Sequence, residues 1–130
     1  MNTKLLMTVS AVAMGIVGLA FTFAPDEMLV WCGGQVNEFA LLLVQVAGAL
    51  YFGFAMINWM VRDNLIGGIY TRPVVVGNLV HFVMVALVLF RKLVKGDGSE
   101  LLTVALAVYV ILAIWFGLVL LRHPSTGSKK

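Results

Sequence analysis

Charge is missing from four long stretches of this 130-residue chain, and that absence constrains the fold more than any motif does. Lys4 is followed by 21 uncharged residues before Asp26, and Glu38 by 23 before Arg62. Arg72 is followed by 18 before Arg91, and Glu100 by 21 before Arg122. All nine Lys and Arg and all six Asp and Glu lie outside these windows. At 1.5 Å rise per residue, such windows reach roughly 27–35 Å as helices, enough for a hydrocarbon core about 30 Å thick. The chain is 62% hydrophobic and 12% charged. Soluble domains average about 25% charged residues, and disordered chains are charge-rich and apolar-poor, so both classes are excluded. Membrane barrels need eight or more strands of alternating polarity, and these windows are too long and too uniformly apolar for that.

The expected fold is therefore all-α: an integral membrane four-helix bundle running antiparallel, up-down-up-down. Its segments are expected at about 5–24, 39–61, 73–90 and 101–121, within one domain over 1–124, with a disordered tail at 125–130. Pro25 with Asp26 and Glu27 stops the first segment. Gly67 and Gly68 break the second connection, and Pro73 suits a first helical turn. Lys95-Gly96-Asp97-Gly98 reads as a tight turn, with Ser99 as N-cap of the last segment. The first apolar stretch is longer than the 7–15 residues of a signal peptide, so it is expected to stay as a span.

Lys and Arg counts set the expected orientation. The N-terminus, second loop and C-terminal tail carry six (Lys4, Arg62, Arg72, Arg122, Lys129, Lys130), and the other side carries three (Arg91, Lys92, Lys95). That places both termini in the cytoplasm of a multi-pass protein of the bacterial inner membrane. The stretch from Pro25 to Trp31 is acidic, then apolar, then aromatic, and reads either as a short interfacial helix or as a plain loop. Cys32 follows it, either as a small buried hydrophobe or as half of an intermolecular disulfide.

Small residues recur at helical spacing: Ala11, Gly15 and Gly18 in the first segment, and Ala49 and Gly53, with Gly48 adjacent, in the second. They let helix backbones approach in lipid, within one bundle or at a dimer face.

Functional information is expected in the polar residues at membrane depth. The second segment carries Gln45, Tyr51 and Asn58, the third Asn78 and His81, and the fourth Tyr109. Such side chains need partners in hydrocarbon. Asn58 lies ~6 Å in from the cytoplasmic end, Asn78 ~9 Å and His81 ~13 Å. Antiparallel second and third segments thus set Asn58 against Asn78, with His81 and Tyr51 one layer deeper. Gln45, Asn58, Asn78 and His81 are expected to converge. At the cytoplasmic mouth, Arg62, Tyr70 and Arg72 either hold an anionic headgroup or simply end helices and snorkel. The whole set reads as structural glue, as a site for a lipid-like or quinone-like ligand, or as part of a conduction path. No carboxylate lies inside any segment, which disfavours a proton relay.

No catalytic residue, metal ligand set or cofactor is assigned. His81 and His123 lie on different segments, and no nucleotide or hydrolase motif is present. The basic residues sit at helix ends, where lipid headgroups explain them, so no nucleic-acid partner is expected. Expected partners are membrane lipids, a second copy or a partner membrane subunit.

The block Gln45-Val46-Ala47-Gly48-Ala49-Leu50-Tyr51-Phe52-Gly53-Phe54-Ala55, then Asn58-Trp59-Met60, Gly67-Gly68-Ile69-Tyr70, Arg72-Pro73, Gly77-Asn78 and His81-Phe82 carries a resemblance. It resembles small four-helix bacterial membrane proteins of unassigned function. In layout the chain is also distantly similar to DoxX-like proteins, four-helix membrane proteins often linked with redox enzymes. That resemblance implies a fold and, as a further alternative, a redox link; it assigns no residue a role.

Overall fold

The computed structural model describes residues 3–64, 71–96 and 99–122. Five helices follow in order: α1 (Thr3–Phe23), α2 (Pro25–Trp31), α3 (Glu38–Val61), α4 (Thr71–Val94) and α5 (Glu100–Arg122). Four of them are long and apolar enough to cross a membrane. At 21 to 24 residues they reach about 32–36 Å. The chain is a multi-pass, all-α membrane protein, as the charge pattern requires. The Gly67-Gly68 turn, Tyr70, His123 and the tail at 125–130 lie outside the described residues.

Local chemistry sets the helix ends. Pro25 opens α2, where its missing N–H costs nothing, and Asp26 and Glu27 fill the acidic first turn. Asn37 caps α3: its Oδ1 accepts from the Ala40 N–H at 2.9 Å. Ser99 caps α5 as expected, its Oγ accepting from the Leu102 N–H at 3.3 Å. Gly33 and Gly96 end α2 and α4 with φ of +71° and +85°, a conformation glycine adopts without steric cost.

Two boundaries differ from expectation. The stretch from Pro25 to Trp31 is helical, with Val30 and Trp31 exposed, which decides for the short helix over the plain loop. α4 continues through Arg91 and Lys92 to Val94, four residues past the expected end. Those basic side chains sit in its last turn, where cations favour the helix C-terminus. Lys92 also reaches across to donate to the Cys32 carbonyl at 2.9 Å, tying the end of α2 to α4.

The bundle is two antiparallel pairs, α1 with α3 and α4 with α5. A Cβ added to Gly18 would lie 2.7 Å from the Phe52 backbone nitrogen, and one added to Gly48 2.8 Å from that of Thr22. Only glycine allows these backbones to meet. Ala49 and Gly53, the other two residues of the small-residue pattern in the second segment, face outward instead. The core joins the pairs through Leu6, Met7 and Met14 of α1, Ala55 of α3, Val75 and Phe82 of α4, and Leu112, Phe116 and Val119 of α5. Large apolar side chains cover the outer surface, among them Ile16, Leu50, Val88 and Ile111, as a lipid-facing surface requires.

Candidate functional site in the seam between the helix pairs

Two polar layers cross the seam between the pairs. Asn58 and Asn78 form the first, and both are fully buried. The Asn58 Nδ2 donates to the Asn78 Oδ1 at 2.7 Å, and the Asn78 Nδ2 donates back to the Asn58 Oδ1 at 2.6 Å. The spare N–H groups are also placed. Asn78 donates to the Val74 carbonyl at 2.8 Å, and Asn58 to the Ser10 Oγ at 3.2 Å. Both amide groups are satisfied, so this layer fixes register between α3 and α4 and leaves nothing for a ligand. Ser10 is fully buried and belongs to this layer. No site role was expected for it, since a helical hydroxyl commonly bonds back to its own helix. Ser10 does donate to the Met7 carbonyl at 3.0 Å, yet its oxygen still accepts from Asn58.

The second layer lies deeper and is built from rings. His81 stands edge-on to Tyr51, centroids 5.0 Å apart and planes at 79°, and stacks on Phe54 at 5.4 Å and 24°. The Tyr109 hydroxyl donates to that of Tyr51 at 2.7 Å, linking α5 to α3. Phe82 fills behind, 5.4 Å from His81 and 5.6 Å from Tyr109. The His81 Nε2 is buried and, among the described residues, has no hydrogen-bond partner. A buried polar atom without a partner calls for an occupant or an explanation.

Space lies beside this residue. A cavity of about 160 Å³ lies against His81, bounded by Ala47, Leu50, Tyr51 and Phe54. On the far side of Tyr51 a second cavity of about 200 Å³ reaches Tyr109, Met28 and Cys32, under α2. A third hollow, about 280 Å³ along α4 and α5, has only apolar walls, among them Val83, Phe90 and Val110.

Of the other expected site residues, Gln45, Arg62 and Arg72 do not join these layers, and Tyr70 lies outside the described residues. Gln45 is exposed on the outer face of α3, and the expected convergence of Gln45, Asn58, Asn78 and His81 is corrected: Asn58 pairs with Asn78, and His81 sits in the ring layer with Tyr51. Arg62 is already engaged. Its Nε lies 3.3 Å from an Asp63 carboxylate oxygen, and its guanidinium sits 3.5 Å over the Trp59 ring. Arg72 is exposed at the start of α4. Asp63 binds the Lys4 ammonium at 2.6 Å, and that hydrogen bond holds its carboxyl below the usual carboxylate range. Tyr109 and Phe54 belong to the ring layer although no site role was expected for them. The signal for Tyr109 was present: it is the one tyrosine between Leu101 and Leu121.

Among the described residues, no three His, Cys, Asp or Glu side chains come together to hold a metal. No family model, curated protein or solved structure matches the chain.

Proposed function

We propose that this chain is a non-enzymatic protein of the bacterial inner membrane, both termini in the cytoplasm, that binds a lipid-like or quinone-like ligand in the seam between α3 and α4. One observation carries the reading: the buried, unpartnered His81 Nε2 beside an open cavity of about 160 Å³. Polar groups at membrane depth are costly unless they are paired or used, and the neighbouring Asn58–Asn78 layer shows pairing in the same seam. The six-to-three excess of Lys and Arg supports the orientation. The DoxX-like layout supports the same fold and adds no residue to the site.

Native mass spectrometry of the chain purified in gentle detergent tests this reading. A bound small amphiphile is expected, and it should be lost from His81→Leu while that variant stays folded. A protein free of any bound amphiphile in both forms defeats the proposal. His81 is the position to change, because removing Asn78 would strand the Asn58 amide and confuse binding with folding.

A second reading, assembly with another copy or a partner subunit, is favoured by the outward face of α3. There Gln45 stands one turn from Ala49 and two from Gly53, all exposed. Disulfide trapping of Gly53→Cys in a Cys32→Ser background tests self-association along this face.

A further inference from the structure

The cavity beside His81 carries enough chemistry to narrow the class of its occupant. It measures about 160 Å³, and an engineered protein cavity of about 150 Å³ accepts one benzene molecule. The space therefore suits one six-membered ring and is too small for a glycerophosphate head with its two ester arms. Ala47, Leu50, Tyr51, Phe54 and His81 bound it, and none of them carries a fixed charge. A phosphate placed there would be desolvated without a counter-charge. The walls instead offer aromatic faces and edges, with Phe54 stacked on His81 and Tyr51 set edge-on.

Two polar groups on these walls have hydrogen-bonding capacity to spare, although the His81 Nε2 itself is closed off by its neighbours, with under 1 Å² of accessible surface. The His81 Nε2 has no partner. The Tyr51 hydroxyl accepts from Tyr109 and keeps its own proton to give. A neutral imidazole nitrogen donates or accepts according to its tautomer, so it meets a carbonyl oxygen or a hydroxyl equally well. Leu50, at the cavity wall, is 64% exposed, so the opening lies on the surface that faces acyl chains.

We infer that this cavity takes the uncharged single-ring head of an amphiphile, a ring carrying a carbonyl or hydroxyl oxygen on its edge, with the apolar tail leaving past Leu50 into the bilayer. The inference rests on the proposed binding function and deepens it. The ring packs against Phe54 and Tyr51, and a small turn of the His81 imidazole, whose Nε2 its neighbours otherwise close off, brings that nitrogen to the ring's oxygen.

The test uses the full chain in maltoside detergent, titrated with decyl-p-benzoquinone, 4-decylphenol and decyl phosphate, which share a tail and differ in head. Equilibrium dialysis reads binding, and the thermal midpoint reads linkage. Both ring probes are expected to saturate near one per chain and to raise the midpoint, while decyl phosphate does neither. His81→Leu should weaken the ring probes about tenfold, the loss expected for one hydrogen bond. Leu50→Trp, which fills the opening from an exposed position, should weaken them as well and keeps the test valid if His81→Leu does not fold. Decyl phosphate binding as tightly as the ring probes, or ring probes indifferent to both substitutions, overturns the ring assignment and leaves amphiphile binding standing. No binding of any probe, together with no amphiphile retained on purification, overturns both.

Discussion

α3 is gripped by α1 on one side and by α4 on the other, and the two grips are built differently. Against α1 the backbones touch: Gly18 and Gly48 leave no space that even a methyl group would fit. Against α4 the side chains span the gap, through the Asn58–Asn78 pair and the His81 ring layer. Lipid lends no hydrophobic drive to helix association, so close packing and hydrogen bonds must hold both. Close packing needs small residues and shuts out any guest. A bridge of side chains sets the backbones further apart, and cavities remain wherever the bridge is incomplete. The difference teaches where space is left: at the seam, in the layer whose hydrogen bonds are not all made.

The harshest way to break the comparison is to insert a side chain into the tight grip. Gly48→Val puts a Cβ 2.6 Å from the Thr22 Oγ1 and 2.8 Å from the Thr22 backbone nitrogen, and backbone cannot step aside cheaply. We expect a loss of about 3 kcal/mol, the upper range for overpacking, seen as a large drop in thermal midpoint in detergent. Gly53→Val, with open space around its Cβ, should cost far less. Equal losses at the two glycines would refute the tight-grip account.

The seam is tested next by unbalancing its amide pair. Asn58→Leu removes two bonds across α3 and α4 and leaves the buried Asn78 Oδ1 unpartnered, a cost of about 1–3 kcal/mol. Replacing both asparagines with leucine removes the stranded groups together, and the double variant should recover part of the loss. A double-mutant cycle reads the coupling. Strictly additive losses would mean that the pair does not act as a unit.

A smaller effect is expected at His81. Its Nε2 makes no bond, so His81→Leu should shift the stability of the ligand-free protein by less than about 1 kcal/mol, or raise it, since a buried orphan is removed. A loss as large as that of Asn58→Leu would place the two layers in one structural class and erase the distinction between them.

Much of this was legible in the residues and some was not, for definite reasons. The charge-free windows located the four spans because lipid excludes charge. They ended α4 early because Arg91 and Lys92 carry long stems that let a helix continue past the hydrocarbon edge. Depth paired Asn58 with Asn78 because rise per residue is fixed. Depth says nothing about direction around the axis, and that is why Gln45 was misplaced. Thirteen residues separate it from Asn58, which at 3.6 per turn puts it about 140° around α3, while Tyr51 falls within about 20°. The orphaned nitrogen of His81 and the cavity beside it had no counterpart in sequence, since both depend on which rings of α3 and α5 arrive next to it.

The mildest prediction concerns the ion pair that reinforces the tight grip at the end where α1 begins and α3 finishes. Lys4 of α1 and Asp63 just after α3 meet at 2.6 Å, with Arg62 also on the carboxylate. The Lys4 hydrogen bond lowers the Asp63 carboxyl in the folded chain, so the folded state releases this proton more readily than the unfolded one. The stabilisation is therefore present above the ordinary aspartate pKa, about 3.9, and disappears as the pH falls through the lowered value. Both side chains are more than half exposed, so water and salt screen the pair and its contribution is small. Asp63→Asn should lower the thermal midpoint slightly at pH 7 and low salt. The gap from wild type should close as the pH falls through that lowered value, and also in 1 M salt. A gap that survives both conditions would mean that Asp63 acts through packing rather than charge, and the tight grip would then owe nothing to its ion pair.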